Sequence, residues 1–209
     1  MDNIKDYQVE SFSNLVADRF LSDPRIKYTI QGIEDKYQFL KKYGKSEIEA
    51  FAKTNNVKVI GEDEGIIIAY SKKDMGWFAL IKAMLTAQNS LFKSISKEEK
   101  KIVINNSKKV KKVTDLSWHK KAVNTKGYYH ILNIAIREDL KGKGIFRNLI
   151  TPLIEECDKK NICIVLETNN SDNIPIYKHF GFEIYETLKS EEIDLVQYSM
   201  IKYPEHLAI

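Results

Sequence analysis

The seven residues from Lys141 to Arg147 read KGKGIFR and set two glycines one residue apart among three cations. Glycine lets a backbone adopt left-handed dihedrals and approach a ligand with no side chain in the way. A helix that starts just beyond it presents first-turn amides without intrahelical partners and about half a positive charge. Such a place suits a phosphate, with Gly142 and Gly144 giving close approach and Lys141, Lys143 and Arg147 giving charge. A plain turn beside a solvated cationic face would read the same way in isolation. Two better-known phosphate loops are excluded. The dinucleotide fingerprint needs a third glycine where Arg147 stands, and the P-loop needs a longer glycine spacing followed by Lys and Ser/Thr.

The elements around this loop decide what it can do. Upstream, YYHILNIAI (Tyr128 to Ile136) reads as a buried strand; downstream, a helix is expected from about Ile145 to Lys159 and a strand over Ile162 to Thr168. Strand, helix, strand in this order implies a parallel unit with a right-handed crossover. Beyond it come a short helix near Pro175 to Phe180 and strands near Phe182 to Leu188 and Leu195 to Ile201. In the first half, apolar residues at Phe12, Leu15, Val16 and Phe20 predict an amphipathic helix that SDPR (Ser22 to Arg25) stops. A second helix spans about Glu34 to Lys53, with Gly44 as a weak point, and a hairpin turns between Gly61 and Gly65. From Trp77 to Lys126 the chain reads as helical, with Ser96 and Glu99 spaced as a capping box. No internal repeat or flexible linker appears, so residues 1–209 are taken as one domain.

Composition narrows the function classes. Thirty-three basic against 29 acidic residues leave a net charge of +4, too weak a bias to argue for nucleic acid. Cys157 and Cys163 are too few for a disulfide scaffold and lack zinc-site spacing, which fits a reduced, cytoplasmic setting. Cys157 falls on the Leu149, Ile150, Leu153, Ile154 stripe and is expected as a buried thiol. The four histidines show no ligand spacing: His119, His179 and His206 read as surface or helix-packing residues, and no metal is expected. No segment has the length and apolarity of a signal core or a membrane span.

Together with the chain downstream of it, KGKGIF resembles motif A of the GNAT acetyltransferase superfamily, Gln/Arg-x-x-Gly-x-Gly/Ala after an apolar strand, here ILNIAI. The downstream stretch LETNNSDNIPIYKHFGFE (Leu166 to Glu183) is similar to the segment in which that family carries its fifth strand, an asparagine, an N-x-P-x-Y helix and a closing x-G-F. The resemblance covers Tyr128 to about Tyr203; DPRIKYTI and the YYHILNIAI strand look most like the puromycin-acetyltransferase-like branch. Lys141 stands where Gln or Arg is usual, and Phe146 where a small residue is usual, which bears on coenzyme affinity.

The resemblance implies a single α/β domain. Its sheet would be mixed and mostly antiparallel, flanked by helices and splayed between strands four and five, with a helical insertion between about residues 75 and 126. It implies acetyl-CoA in the splay. Pantetheine would pair with the backbone near Ala135 and Ile136, and diphosphate would sit on Lys141, Gly142, Lys143, Gly144, Ile145, Phe146 and Arg147. A strand-four amide near Ile136 would steady the developing oxyanion. Tyr177 would protonate the leaving thiolate, with Asn173, or more loosely Asn170, on the pantetheine; a packed aromatic and a helix cap are the plainer readings of Tyr177 and Asn173. Glu167 is the candidate base, against its reading as a solvated strand-end acid, and His130 is the alternative. His130, Trp118 and Glu167 are assigned to the acceptor side; Trp77, Phe78, Trp118 and His119 could line its pocket but are expected as core. The implied activity is N-acetylation of a primary amine on a small molecule or peptide by direct attack in a ternary complex. Its rival is a non-catalytic CoA-binding or interaction module. The lysine-rich SKKVKKV (Ser107 to Val113) reads as an exposed amphipathic face, so neither nucleic acid nor membrane is expected as a partner, and homodimerisation stays open.

Overall fold

A computed structural model describes residues 1–72, 75–123 and 127–205. His206 and the expected end of the helical insertion at Lys126 lie outside the described residues. The chain starts with a two-residue strand β1 (Asp2–Asn3), then α1 (Val9–Phe20), α2 (Pro24–Thr29) and α3 (Lys36–Ala52). A hairpin comes next, β2 (Val57–Ile60) and β3 (Gly65–Ser71), then α4 (Trp77–Ser94), α5 (Lys97–Val110) and the one-turn α6 (His119–Ala122). The second half is β4 (Tyr128–Ile136), α7 (Ile145–Lys160), β5 (Cys163–Thr168), α8 (Ile174–His179), β6 (Glu183–Lys189) and β7 (Val196–Lys202). The strands form one sheet in the order β1-β2-β3-β4-β5-β7-β6, parallel only between β4 and β5.

Alternation along the strands gives each face its own core. Ile66, Ile68, Tyr70, Val165 and Ile201 face α1, α3 and α4. Ile67, Ile131, Ile164, Leu166 and Met200 face the Leu149, Ile150, Leu153 and Cys157 stripe of α7. Cys157 is thus a buried thiol, and burial raises its pKa well above the ordinary value.

Several elements differ from the sequence reading. SDPR stops α1 but also starts α2: Asp23 accepts from the Ile26 amide as N-cap, and Pro24 occupies the first helical position. Gly44 is no weak point, because a Cβ there would lie 3.0 Å from Val16, so its bareness lets α1 and α3 touch. The expected core role of the insertion's aromatics divides. Trp118 is fully buried, whereas Trp77 and Phe78 are 64% and 87% exposed at the start of α4. His119, expected at the surface or in helix packing, is buried among polar groups. The capping box forms, with reciprocal bonds between Ser96 and Glu99.

Candidate active site at the splay of two strands

β4 and β5 pair through Tyr128–Cys163 to Ile131–Leu166 and then part. On its other edge β4 keeps pairing with β3 as far as Ile136, but with an irregularity: Ile68 faces Asn133 and Ala69 faces Ile131, so Leu132 is an extra residue. Such a bulge bends a strand and raises its local twist. The backbone from Leu132 to Ile136, including Ala135 and Ile136, therefore has no strand on its β5 side among the described residues.

The glycine loop lies beyond the end of β4. Gly142 and Gly144 have φ of +79° and +84°, the left-handed region, and a Cβ on either would meet nothing within 4 Å. The conformation, not crowding, selects glycine here. Gly144 is the N-cap of α7, so the amides of Ile145, Phe146 and Arg147 open a 16-residue helix. Lys141, Lys143 and Arg147 are exposed beside them. Phe146 turns its ring away from the loop, onto Phe180 at 5.1 Å and Tyr177 at 5.8 Å between centroids. The bulky residue at a usually small position therefore leaves these amides free, and the loop fits a diphosphate.

Tyr177 lies on α8 against Phe146 and Phe182. Burial, with the charge of Asp23 adding to it, pushes its phenol up to about 12. It therefore holds its proton throughout the neutral range. Asn173 and Asn170 serve the turn leading into α8: Asn170 accepts from the Asp172 amide, and the Asn173 amide reaches the Thr168 hydroxyl at 3.4 Å. Both asparagines sit next to the end of β5, where the splay opens.

The three acceptor-side residues meet at one point. Glu167, the first residue of β5 beyond the β4 ladder, accepts from Trp118 Nε1 on one carboxylate oxygen and from His130 Nε2, at 2.8 Å, on the other. Their side chains are almost closed from solvent, His130 at 5% and Glu167 at 11% exposed. Tyr70 and Tyr128, which sequence reasoning missed, and His119, which it weighed as a pocket residue but expected as core, extend the network. The Tyr70 hydroxyl bonds His130 Nδ1 at 3.1 Å, and the Tyr128 hydroxyl bonds His119 Nε2 at 2.9 Å. Burial raises both phenols and pulls His119 down to about 4, so all three are neutral at pH 7. Two side-chain donors thus converge on one nearly buried carboxylate, and the neutral Tyr70, Tyr128 and His119 surround the pair.

Glu47 of α3 was also missed. It accepts from the Asn133 amide just beyond the bulge and from Tyr43 one turn earlier, and burial raises its pKa. It ties α3 to the splayed half of β4. Among the described residues no group of three or more His, Cys, Asp or Glu side chains could hold a metal ion, and no helix is long and apolar enough to cross a membrane.

Residues 110–182, which hold β4, the glycine loop, α7, β5 and α8, match the model of the acetyltransferase (GNAT) family. That stretch, about a third of the chain, is similar in sequence to the GNAT family. An uncharacterized N-acetyltransferase of Schizosaccharomyces pombe is 35% identical over 81 residues, 37% of this chain and 32% of that protein. The match thus spans about a third of the relative's length. Across 100% of this chain and 97% of the other, the fold is that of the histone acetyltransferase HPA2 and related acetyltransferase from Corynebacterium glutamicum, with a TM-score of 0.62 at 14% identity. A Pyrococcus horikoshii protein matches over 97% of this chain and 94% of its own, with a TM-score of 0.52 at 16% identity. The GNAT fold is therefore common to the whole chain, while the sequence match concentrates on the half that carries the glycine loop.

Proposed function

We propose that this GNAT protein is an N-acetyltransferase that moves an acetyl group from acetyl-CoA to a primary amine of a small molecule or peptide within a ternary complex. The observation that carries this reading is Glu167. It is a carboxylate held by two side-chain donors, Trp118 and His130, where β4 and β5 part, on a sheet whose β4 leads into a glycine-capped helix start. The names of the curated relative and of the Corynebacterium protein support amine acetylation, and a small amine would suit the puromycin-acetyltransferase-like branch.

In this reading the amides from Gly142 to Arg147 hold the diphosphate, and the free edge of β4 at Ala135 and Ile136 holds the pantetheine as an added strand. Acetyl-CoA supplies an activated acyl group as a thioester. Glu167 takes a proton from the incoming ammonium, directly or through water, and His130 fixes the carboxylate's orientation. The amide near Ile136 donates to the carbonyl oxygen as it gains charge. Tyr177 gives its proton to the sulfur as the C–S bond breaks, and the proton that the nitrogen sheds on becoming an amide restores the phenol. Orientation of amine and acyl group between the strands supplies much of the rate.

Free-thiol release from acetyl-CoA across a panel of amines and peptides tests the reading. Turnover that Tyr177→Phe sharply lowers, with the CoA dissociation constant little changed in calorimetry, is the expected result. Binding of CoA with no thiol release on any acceptor would favour a non-catalytic CoA-binding module, and no heat with CoA would defeat both.

A further inference from the structure

Among the described residues, two buried side-chain polar atoms have no hydrogen-bond partner: His119 Nδ1 and Glu186 Oε2. Both belong to residues flanking Trp118. His119 is its neighbour in the chain, and Tyr185, next to Glu186, places its ring 5.4 Å from the indole at 31°. Glu186 is joined to Glu167 through the sheet. In register, Glu167 of β5 faces Ser199 of β7, and Ser199 faces Glu186 of β6. Cross-strand partners share a face, so both carboxylates stand on the side covered by Trp118, two strand spacings or about 10 Å apart. The register of β6 slips between Ile184 and Glu186, which makes Tyr185 an extra residue and turns its ring onto Trp118.

An ionised carboxylate accepts only. Glu186 is half-buried, and its covered Oε2 meets no donor of this chain, so it can accept from one that arrives. No ion pair of this chain reaches Glu186 among the described residues. Facing it across Ser199 is another acid, and the residue before it, Tyr185, stacks on Trp118, surroundings that favour a cation over a neutral or anionic group.

We propose that Glu186, with the rings of Trp118 and Tyr185, is the subsite for a second cationic nitrogen of the acceptor, which makes the acceptor class an aliphatic di- or polyamine. The inference rests on the acetyltransfer reading above for the place of the reacting amine at Glu167. The separation of the two carboxylates matches a ligand carrying nitrogens at both ends, and an acceptor with a carboxylate at the far end is disfavoured.

Thiol release from acetyl-CoA with butylamine, 1,4-diaminobutane and spermidine tests it in kinetic form. The diamine and spermidine should be preferred in kcat/KM, and Glu186→Gln, which keeps the side-chain shape, should erase that preference, lowering their kcat/KM tenfold to a hundredfold, or about that, beyond any change for butylamine. Calorimetric titration of spermidine into the full chain, with and without CoA, reads the subsite independently of turnover. Binding that weakens about tenfold or more in Glu186→Gln supports the proposal. Spermidine binding no tighter than butylamine, or binding that the variant retains, overturns it. Thermal melts of the variant exclude a loss of fold as the cause. Failure of the acetyltransfer reading shows separately, as no thiol release on any amine.

Discussion

In the acetyltransfer reading proposed above, the glycine loop and the polar cluster around Glu167 are opposite solutions to binding a charged group. The loop is local and exposed: seven consecutive residues, two left-handed glycines and a helix start, with backbone amides doing the recognition. The cluster is buried and assembled from side chains of β3, β4, β5 and the start of α6, with tyrosines, histidines and an indole surrounding one acid. A diphosphate is the same on every molecule of coenzyme, so a short backbone device would serve it. An acceptor differs from one GNAT protein to another, and its pocket is built from parts that can change independently.

The largest effect expected on this contrast comes from Glu167→Gln, which keeps the size of the side chain but cannot take a proton and turns one of its two acceptors into a donor. Thiol release should fall by about 10³-fold, within the span of general-base contributions, while CoA affinity by calorimetry moves little. Equal losses in both would mean that loop and cluster are not separable. Tyr177→Phe should be smaller, about 10²-fold in kcat. The proton it removes is held by a phenol already pushed up to about 12, so no alkaline limb from Tyr177 is expected in the pH profile below about pH 10, the ordinary phenol value.

His119 gives the cluster a pH signature. Its pKa is about 4 in the folded protein against about 6.5 unfolded, so the unfolded chain binds more protons between these values. Stability from keeping His119 neutral is present above about pH 6.5 and is lost as pH falls towards 4, by about 2 to 3 kcal/mol. Urea melts at neutral pH and near pH 5, compared between the native chain and His119→Asn, should show a smaller pH-dependent loss in the variant. The loop should behave differently: Gly144→Ala is expected to cost about 1 to 2 kcal/mol at any pH, since the strain is steric.

The same contrast governs how much was legible in the sequence. β4, α7 and β5 were readable within a residue or two because one strand, one amphipathic stripe and one glycine pair are local signals. Glu167, Trp118 and His130 could be named, but the bonds joining them span 37 and 49 positions. Tyr70 and Tyr128 read as ordinary strand aromatics, and Glu47 as one of several polar residues on α3, because only the register of β3 on β4 and the bulge at Leu132 bring them to the site. α2 was hidden because Asp-Pro marks both an ending and a beginning. The exposure of Trp77 and Phe78 has no local signal, since helical spacing of aromatics is the same on covered and uncovered faces.

The smallest expected effect tests whether the sheet positions the loop. Gly65 opens β3 opposite Ile136, and a Cβ there would lie 2.7 Å from Ile145 Cγ2 and 3.1 Å from Leu149 Cδ1. Ile145 is the first residue of α7, and its Cγ2 is a branch on a stiff β-carbon that cannot swing aside as a long side chain can. Gly65→Ala should therefore push the start of α7 outward. Relief of glycine's entropy cost offsets part of the overpacking, leaving a loss of about 1 kcal/mol. Because the displaced residue carries one of the amides assigned to the diphosphate, CoA affinity should fall several-fold while spermidine binding in the absence of CoA stays the same. A variant that melts lower but binds CoA as before would show that the loop holds its own shape without the strand beneath it.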